Sequence, residues 1–156
     1  MYSLWWILNE NCINIYMKQY PKTIKFKKNH KSKKSYLSIK AQKVFFLNSG
    51  LFGLKALEAG KLNYKQIEAC RKSLRRDMKK QGKIFLRVFT YHSITKKSVG
   101  MRMGTGKGNH SMWICPIRQG QVICEIYGIS EIIAVFALKN AGNKLPFKVK
   151  IEKLKY

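Results

Sequence analysis

The sequence predicts an α+β fold, a mainly antiparallel sheet with two packed helices, preceded by an extended basic N-terminal arm. Three observations predict it. Two separate windows repeat apolar residues at three- and four-residue steps, the period of a helix with one buried face. Short runs rich in Val, Ile and Phe lie between them at irregular spacing, joined by glycine turns of hairpin type. Between positions 18 and 43 there are ten lysines and no acid, too much like charge for a packed segment.

The elements follow in order. In the arm, Pro21 blocks an early helix, and Tyr20, Phe26, His30 and Tyr36 are interleaved with the lysines. Residues 1–43 are read as extension and arm, and 44–156 as a single α+β domain. Val44–Leu47 and Phe52–Leu57 read as short strands around the turn Asn48-Ser-Gly50, with Gly60 ending that unit. Over 64–81 the stripe Ile67, Cys70, Leu74, Met78 predicts a helix with one packed face. Its other faces carry Lys65, Arg71, Lys72, Arg75, Arg76, Lys79 and Lys80, and Gly82 is placed to stop it. Ile84–Phe89 is a continuous apolar run interrupted by Arg87, read as a strand buried on both faces. Residues 90–101 are a polar loop or weak strand. Met112–Ile117 and Gln121–Tyr127 read as a hairpin around Arg118-Gln-Gly120. A second helix is expected at Ser130–Asn140, with Ser130 as N-cap, Glu131 in its first turn and Ile132, Ile133, Phe136 and Ala137 as its apolar face. Gly142 closes it, and Pro146 opens a final strand, Phe147–Ile151, alternating with Lys148 and Lys150.

Charge narrows the function. The 156 residues hold 32 Lys and Arg against 7 Asp and Glu, a formal charge of +25. Self-repulsion of that size works against a compact chain unless a polyanion neutralises it. RNA is the natural polyanion, since each phosphate contact releases counterions, and rings among cations can stack on exposed bases. The apolar fraction of 46% excludes a wholly disordered basic tail. The first nine residues, with Trp5 and Trp6, are too short an apolar run to cross a bilayer and lack a basic leader, so no membrane insertion is expected. Cys12, Cys70, Cys115 and Cys124 form no C-x-x-C pair and no zinc spacing with His30, His92 or His110, so reduced, packed thiols and no metal are expected. The 26 Lys against 6 Arg, with 16 Ile and 9 Asn, are the residues of A/T-rich codons. Organellar genomes are often of that kind, and an A/T-rich bacterium would look similar.

The segment Gly100-Met-Arg-Met-Gly-Thr-Gly-Lys-Gly-Asn109 carries the most meaning. Glycines at 104, 106 and 108 permit positive φ and close backbone approach. Arg102 can hold a phosphate through two parallel bonds or stack on a base, and Lys107 adds a point charge. Neither nucleotide motif fits. A P-loop would need Gly where Met101 stands and a hydroxyl where Gly108 stands, and a dinucleotide fingerprint would need Gly at Asn109. The acids Glu10, Glu58, Glu68, Asp77, Glu125, Glu131 and Glu152 are scattered and read as structural counter-ions. With no nucleophile, base and orienter set, no catalysis and no cofactor are expected.

Several blocks in this order resemble one family, the universal large-subunit ribosomal proteins called L-sixteen in bacteria. They are Arg102–Gly108 followed by Trp113, Gly82–Phe89, Gly50–Lys55 followed by Gln66–Ala69, the arm Pro21–Lys31, and Lys144–Lys148. The resemblance spans about residues 20–152. It implies a non-enzymatic constituent of the large subunit that binds its rRNA near the peptidyl-transferase region and the aminoacyl-tRNA site, supports tRNA positioning and joins late in assembly. Its implied partners are large-subunit rRNA, aminoacyl-site tRNA and neighbouring ribosomal proteins. The implied RNA contacts are Lys22, Lys25, Lys27, Lys28, His30, Lys31, Lys33 and Lys34 of the arm, Arg71, Lys72, Arg75, Arg76, Lys79 and Lys80 of the first helix, and Arg87. The implied tRNA-side loop comprises Arg102, Met103, Gly104, Gly106, Lys107 and Gly108. The sequence departs from the family at Thr105, where bacterial members often carry Lys, at Thr90-Tyr-His-Ser93, which replaces a Pro-containing turn, and in its first twenty residues. The lysine bias, extension and divergence favour a mitochondrial member over one of the bacterial cytoplasm.

Overall fold

The strands sort into two antiparallel sheets. The computed structural model describes residues 20–21, 24–30, 46–79, 81–104 and 106–154. Among these the order is β1 (Phe52–Ala56), β2 (Gly60–Asn63), α1 (Tyr64–Asp77), β3 (Lys83–Leu86), β4 (His92–Lys96), β5 (Asn109–Ile117), β6 (Val122–Tyr127), α2 (Glu131–Gly142) and β7 (Val149–Lys153). The first sheet has the order β3-β6-β1-β7 and the second β2-β5-β4. All five strand pairings are antiparallel, so the α+β expectation holds.

The expected hairpin of 112–117 with 121–127 does not form. β5 pairs with β2 and β4, while β6 pairs with β1 and β3. The connecting turn is fastened to the end of β1 instead: Gly120 N–H donates to the Ala56 carbonyl at 2.8 Å, and Ala56 N–H to the Gln121 carbonyl at 2.9 Å. It passes the chain from one sheet to the other. The hairpin lies one strand earlier, between β4 and β5, so the weak strand at 90–101 is real and the glycine-rich segment is a hairpin loop.

Other boundaries move for physical reasons. Gly60 does not end a unit but begins β2, where it pairs with Ile117, and its lack of a Cβ leaves room for the Phe147 ring, which a Cβ would approach to 2.5 Å. Of the expected strand Val44–Leu47, residues 44–45 lie outside the described residues and 46–47 are not strand. β3 stops at Leu86 and is an edge strand bonded to β6, so it is half-buried rather than covered on both faces. α1 stops at Asp77, short of 81, where Met78 caps it and Lys79 turns to φ 48°. At its start Gln66 Oε1 accepts a bond from Asn63 N–H at 2.9 Å. The final strand starts at Val149, two residues late, because Phe147 packs over Gly60.

The apolar stripe of α1 packs as its spacing predicts, with Ile67, Cys70, Leu74 and Met78 all buried. The face of α2 does not. Ala137 is buried, together with Ala134, Leu138 and Ala141, but Ile132 is 84% exposed, Phe136 60%, and Ile133 also faces solvent. The helix is apolar on nearly every side, so periodicity cannot choose its inner face. Small side chains let it pack against α1 and β1, and that close approach decides the matter. Two apolar clusters result. One joins both helices to Phe52, Leu54, Cys124 and Ile126; the other fills the space between the sheets around Leu62, Ile117 and Ile123.

Candidate nucleic-acid interface

Every acid among the described residues lies within 4 Å of a cation. The pairs are Lys148–Glu58, Arg71–Glu68, Arg76–Asp77, Arg87–Glu125, Lys153–Glu131 and Lys55–Glu152. The acids act as counter-ions, as expected, with Glu10 outside the described residues. The remaining positive charge must therefore be neutralised from outside the chain.

The β4–β5 loop is pinched at its base and open at its tip. Lys96 pairs with Asn109 at its base. A Cβ on Gly108 would lie 2.6 Å from the Lys96 carbonyl carbon, so only glycine lets the two sides meet there. Beyond that pinch Gly104 and Gly106 take φ of 107° and 74° in open space. Lys97 Nζ donates to the Gly104 carbonyl at 2.6 Å and braces the bend. Arg102, Met103 and Lys107 are exposed, Met103 at 96%. Thr105 lies outside the described residues. Below the loop the His110 ring lies 4.6 Å from that of Trp113, which is buried.

The arm runs against this loop. Lys28 Nζ donates to the Lys107 carbonyl at 3.2 Å, and Lys107 Nζ donates to the Asn29 carbonyl. One residue earlier the Ser93 hydroxyl of β4 donates to the Lys27 carbonyl. Two elements that the sequence presents as separate, arm and loop, therefore meet. Lys25, Lys27, Lys28 and His30 are exposed along this stretch; Lys22, Lys31, Lys33 and Lys34 lie outside the described residues. Ser93 and Lys97 carried no sequence signal, because their roles exist only once β4 pairs with β5.

A second basic surface lies on α1. Arg71, Lys72, Arg75, Arg76 and Lys79 line one open groove, and Lys80 lies outside the described residues. Two of these are also tied within the protein. Arg71 binds Glu68 through Nε and Nη2 at 2.9 and 2.7 Å, and that hydrogen bond holds the Glu68 carboxyl below its ordinary range. Arg76 reaches Asp77, whose second oxygen accepts from Asn140 of α2 at 3.0 Å.

Arg87 points into the fold. Its Nη1 lies 2.5 Å from Glu125 Oε1, and Glu125 is fully buried. The other carboxylate oxygen accepts from the backbone N–H groups of Asn48, Ser49 and Gly50 at 3.2, 2.7 and 2.8 Å. The turn read from Asn48-Ser-Gly50 is thus a cradle for a buried carboxylate. Cys70, Cys115 and Cys124 are free and buried, and Cys12 lies outside the described residues. Burial pushes the Cys115 thiol up to about 11. The neighbouring Cys70 thiol, together with full burial, raises Cys124 well above the usual range. No described helix is long and apolar enough to cross a membrane.

The chain is similar to known proteins over most of its length. The family profile described as ribosomal protein L16p/L10e matches residues 21–152. Proteins named large ribosomal subunit protein uL16 are similar over most of the chain. That of Buchnera aphidicola subsp. Cinara cedri is 46% identical over 128 residues, 82% of this chain and 91% of the relative. That of Wigglesworthia glossinidia brevipalpis is 44% identical over 126 residues, 81% and 90%. That of Psychrobacter arcticus is 44% identical over 133 residues, 85% and 95%.

Proposed function

The chain belongs to the ribosomal protein L16p/L10e family and is a non-enzymatic structural constituent of the large ribosomal subunit, and from that premise we propose how it works there. It binds large-subunit rRNA near the peptidyl-transferase region through its arm and the basic face of α1, and presents the loop at 102–108 toward the aminoacyl-site tRNA. In doing so it supports tRNA positioning and late subunit assembly. The observation that carries this reading is the meeting of arm and loop at Lys27–Asn29 and Lys107, with every described acid paired elsewhere.

In the arm, Lys22, Lys25, Lys27, Lys28, His30, Lys31, Lys33 and Lys34 contact rRNA phosphates. On the helix Arg71, Lys72, Arg75, Arg76, Lys79 and Lys80 do the same, with Arg71 and Arg76 also ordered by their acids. Arg87 takes part indirectly, by fixing the cradle at 48–50 from which β1 starts. In the loop Arg102 and Lys107 supply charge, Met103 supplies apolar contact, and Gly104, Gly106 and Gly108 supply the shape. Ultraviolet crosslinking in intact ribosomes tests this. Arm and helix residues are expected to crosslink to large-subunit rRNA, and loop residues to tRNA in the aminoacyl site. Crosslinks confined to proteins would overturn it.

We further propose that the chain works in a mitochondrial ribosome. The lysine, isoleucine and asparagine bias and the twenty residues ahead of the family match support this. The relatives above are bacterial, which supports the bacterial cytoplasm as the alternative. Fractionation of the source cells decides between them: enrichment with mitochondrial ribosomes supports the first, and a source without mitochondria removes it.

A further inference from the structure

Three lysines around the loop each give one hydrogen bond to a backbone carbonyl. Lys97 holds Gly104, Lys107 holds Asn29 of the arm, and Lys28 of the arm holds Lys107. The last two bonds are reciprocal. Each ammonium crosses to the other's segment, although the residues are 78 and 79 apart in sequence. A fourth bond, from Ser93 to the Lys27 carbonyl, fastens the arm to β4 beside this crossing.

Such an arrangement is electrostatically incomplete. Two ammonium groups at one crossing repel each other. No described acid relieves them, since all six are paired with other cations. A lysine ammonium has three donors, and among the described residues each of these lysines gives one to a carbonyl. The donors that remain suit the oxygens of a phosphodiester, whose negative charge would turn the repulsion at the crossing into attraction to a shared anion.

We propose that Lys28 and Lys107 form a reciprocal clasp that joins the arm and the glycine loop into a single phosphodiester-binding unit, so that RNA held by the arm sets the conformation of the loop. This deepens the function proposed above and rests on it. Lys28 and Ser93 are then positioning residues for a loop to which neither belongs. Lys97 braces the same loop from its other side, at Gly104. The arm becomes part of the loop's support, rather than an independent charged tail.

The test uses the full chain and a labelled large-subunit rRNA transcript, with binding followed by fluorescence anisotropy. Lys28→Ala and Lys107→Ala should each weaken binding about fivefold, the scale of a lost phosphate contact. Together they should weaken it about tenfold, not the roughly twenty-fivefold product, because the first change already opens the clasp. In the free protein Lys28→Ala and Ser93→Ala should lower the backbone NMR order parameters of Gly104, Gly106 and Gly108. Multiplicative losses, with unchanged loop order parameters, would overturn the clasp while leaving the RNA-binding function intact. A wild-type chain that does not bind the transcript would overturn that function and the clasp together.

Discussion

Glu125 shows how a single charge can organise its surroundings. It lies in the middle of β6, on the opposite side from Cys124 and Ile126, and is wholly buried. A carboxylate there is tolerable only because three backbone N–H groups and Arg87 meet it. Arg87→Met is therefore expected to destabilise the fold by about 3 kcal/mol, since it leaves a buried charge short of its cation. Gly50→Ala is expected to cost about 2 kcal/mol, because its Cβ would sit 2.7 Å from Glu125 Cβ and 2.8 Å from the Ile126 backbone. Denaturant unfolding measures both, and values under about 0.5 kcal/mol would show that the cradle is not needed. Cys115 gives a pH dependence. Its thiol is raised from 9.0 to about 11 on folding, so between those values the unfolded chain has lost a proton that the folded chain keeps. Stability should then fall as pH rises through that window and be unaffected by this group below it. A Cys115→Ser variant should lose that part of the slope. In the loop, Arg102→Ala should impair translation or late assembly more than Lys25→Ala. The arm spreads its charge over many lysines, whereas the loop has one arginine. Equal growth and equal subunit profiles for the two variants would refute this.

At the scale of elements, α2 is the most informative. Its inner side is Ala134, Ala137, Leu138 and Ala141, and its outer side carries Ile132, Val135 and Phe136. A helix apolar all round belongs in the interior of something larger than itself. The fold covers one side, and the other remains an exposed apolar patch of the kind that marks an interaction surface. Two substitutions separate the sides. Ala137→Leu should cost about 1–3 kcal/mol by overpacking against α1 and β1. Phe136→Ser should change the stability of the free protein by less than about 0.5 kcal/mol, yet reduce its incorporation into large subunits. The reverse pattern, measured by unfolding and by subunit occupancy, would mean that the faces are exchanged. Here the sequence was only partly legible. The stripe of α1 was readable because basic residues cover its other faces, leaving one choice. That of α2 was not, because Ile and Phe outweigh Ala in any apolar pattern although Ala makes the closer contact. β5 and β6 looked like a hairpin because a three-residue turn with glycine joins them. What overrules that local signal is long-range: the turn bonds to the end of β1, more than sixty positions earlier.

For the whole molecule, charge was legible from the start and geometry was not. Counting lysines identifies a polyanion partner, and the block order Gly50–Lys55, Gly82–Phe89, Arg102–Gly108 identifies the family. Neither shows that Lys28 and Lys107 cross, since that depends on β4, β5 and the arm meeting in space. The basic residues divide in the same way. Arg71, Lys72, Arg75, Arg76 and Lys79 share one groove along α1, whereas Arg87, inside a predicted strand, turns inward to Glu125. An apolar run that contains a single arginine and a second that contains a single glutamate could have signalled that pair. The surplus charge also sets how the protein should behave in solution. Affinity for rRNA should fall steeply with salt, with a slope set by the number of phosphates contacted. Membership of the large subunit is measured most directly by sedimentation of the tagged, full chain expressed in its own cells, through a gradient after a moderate-salt wash. It should travel with the large ribosomal subunit and with assembled ribosomes. Recovery only in the free, low-mass fractions would contradict its being a constituent of that subunit.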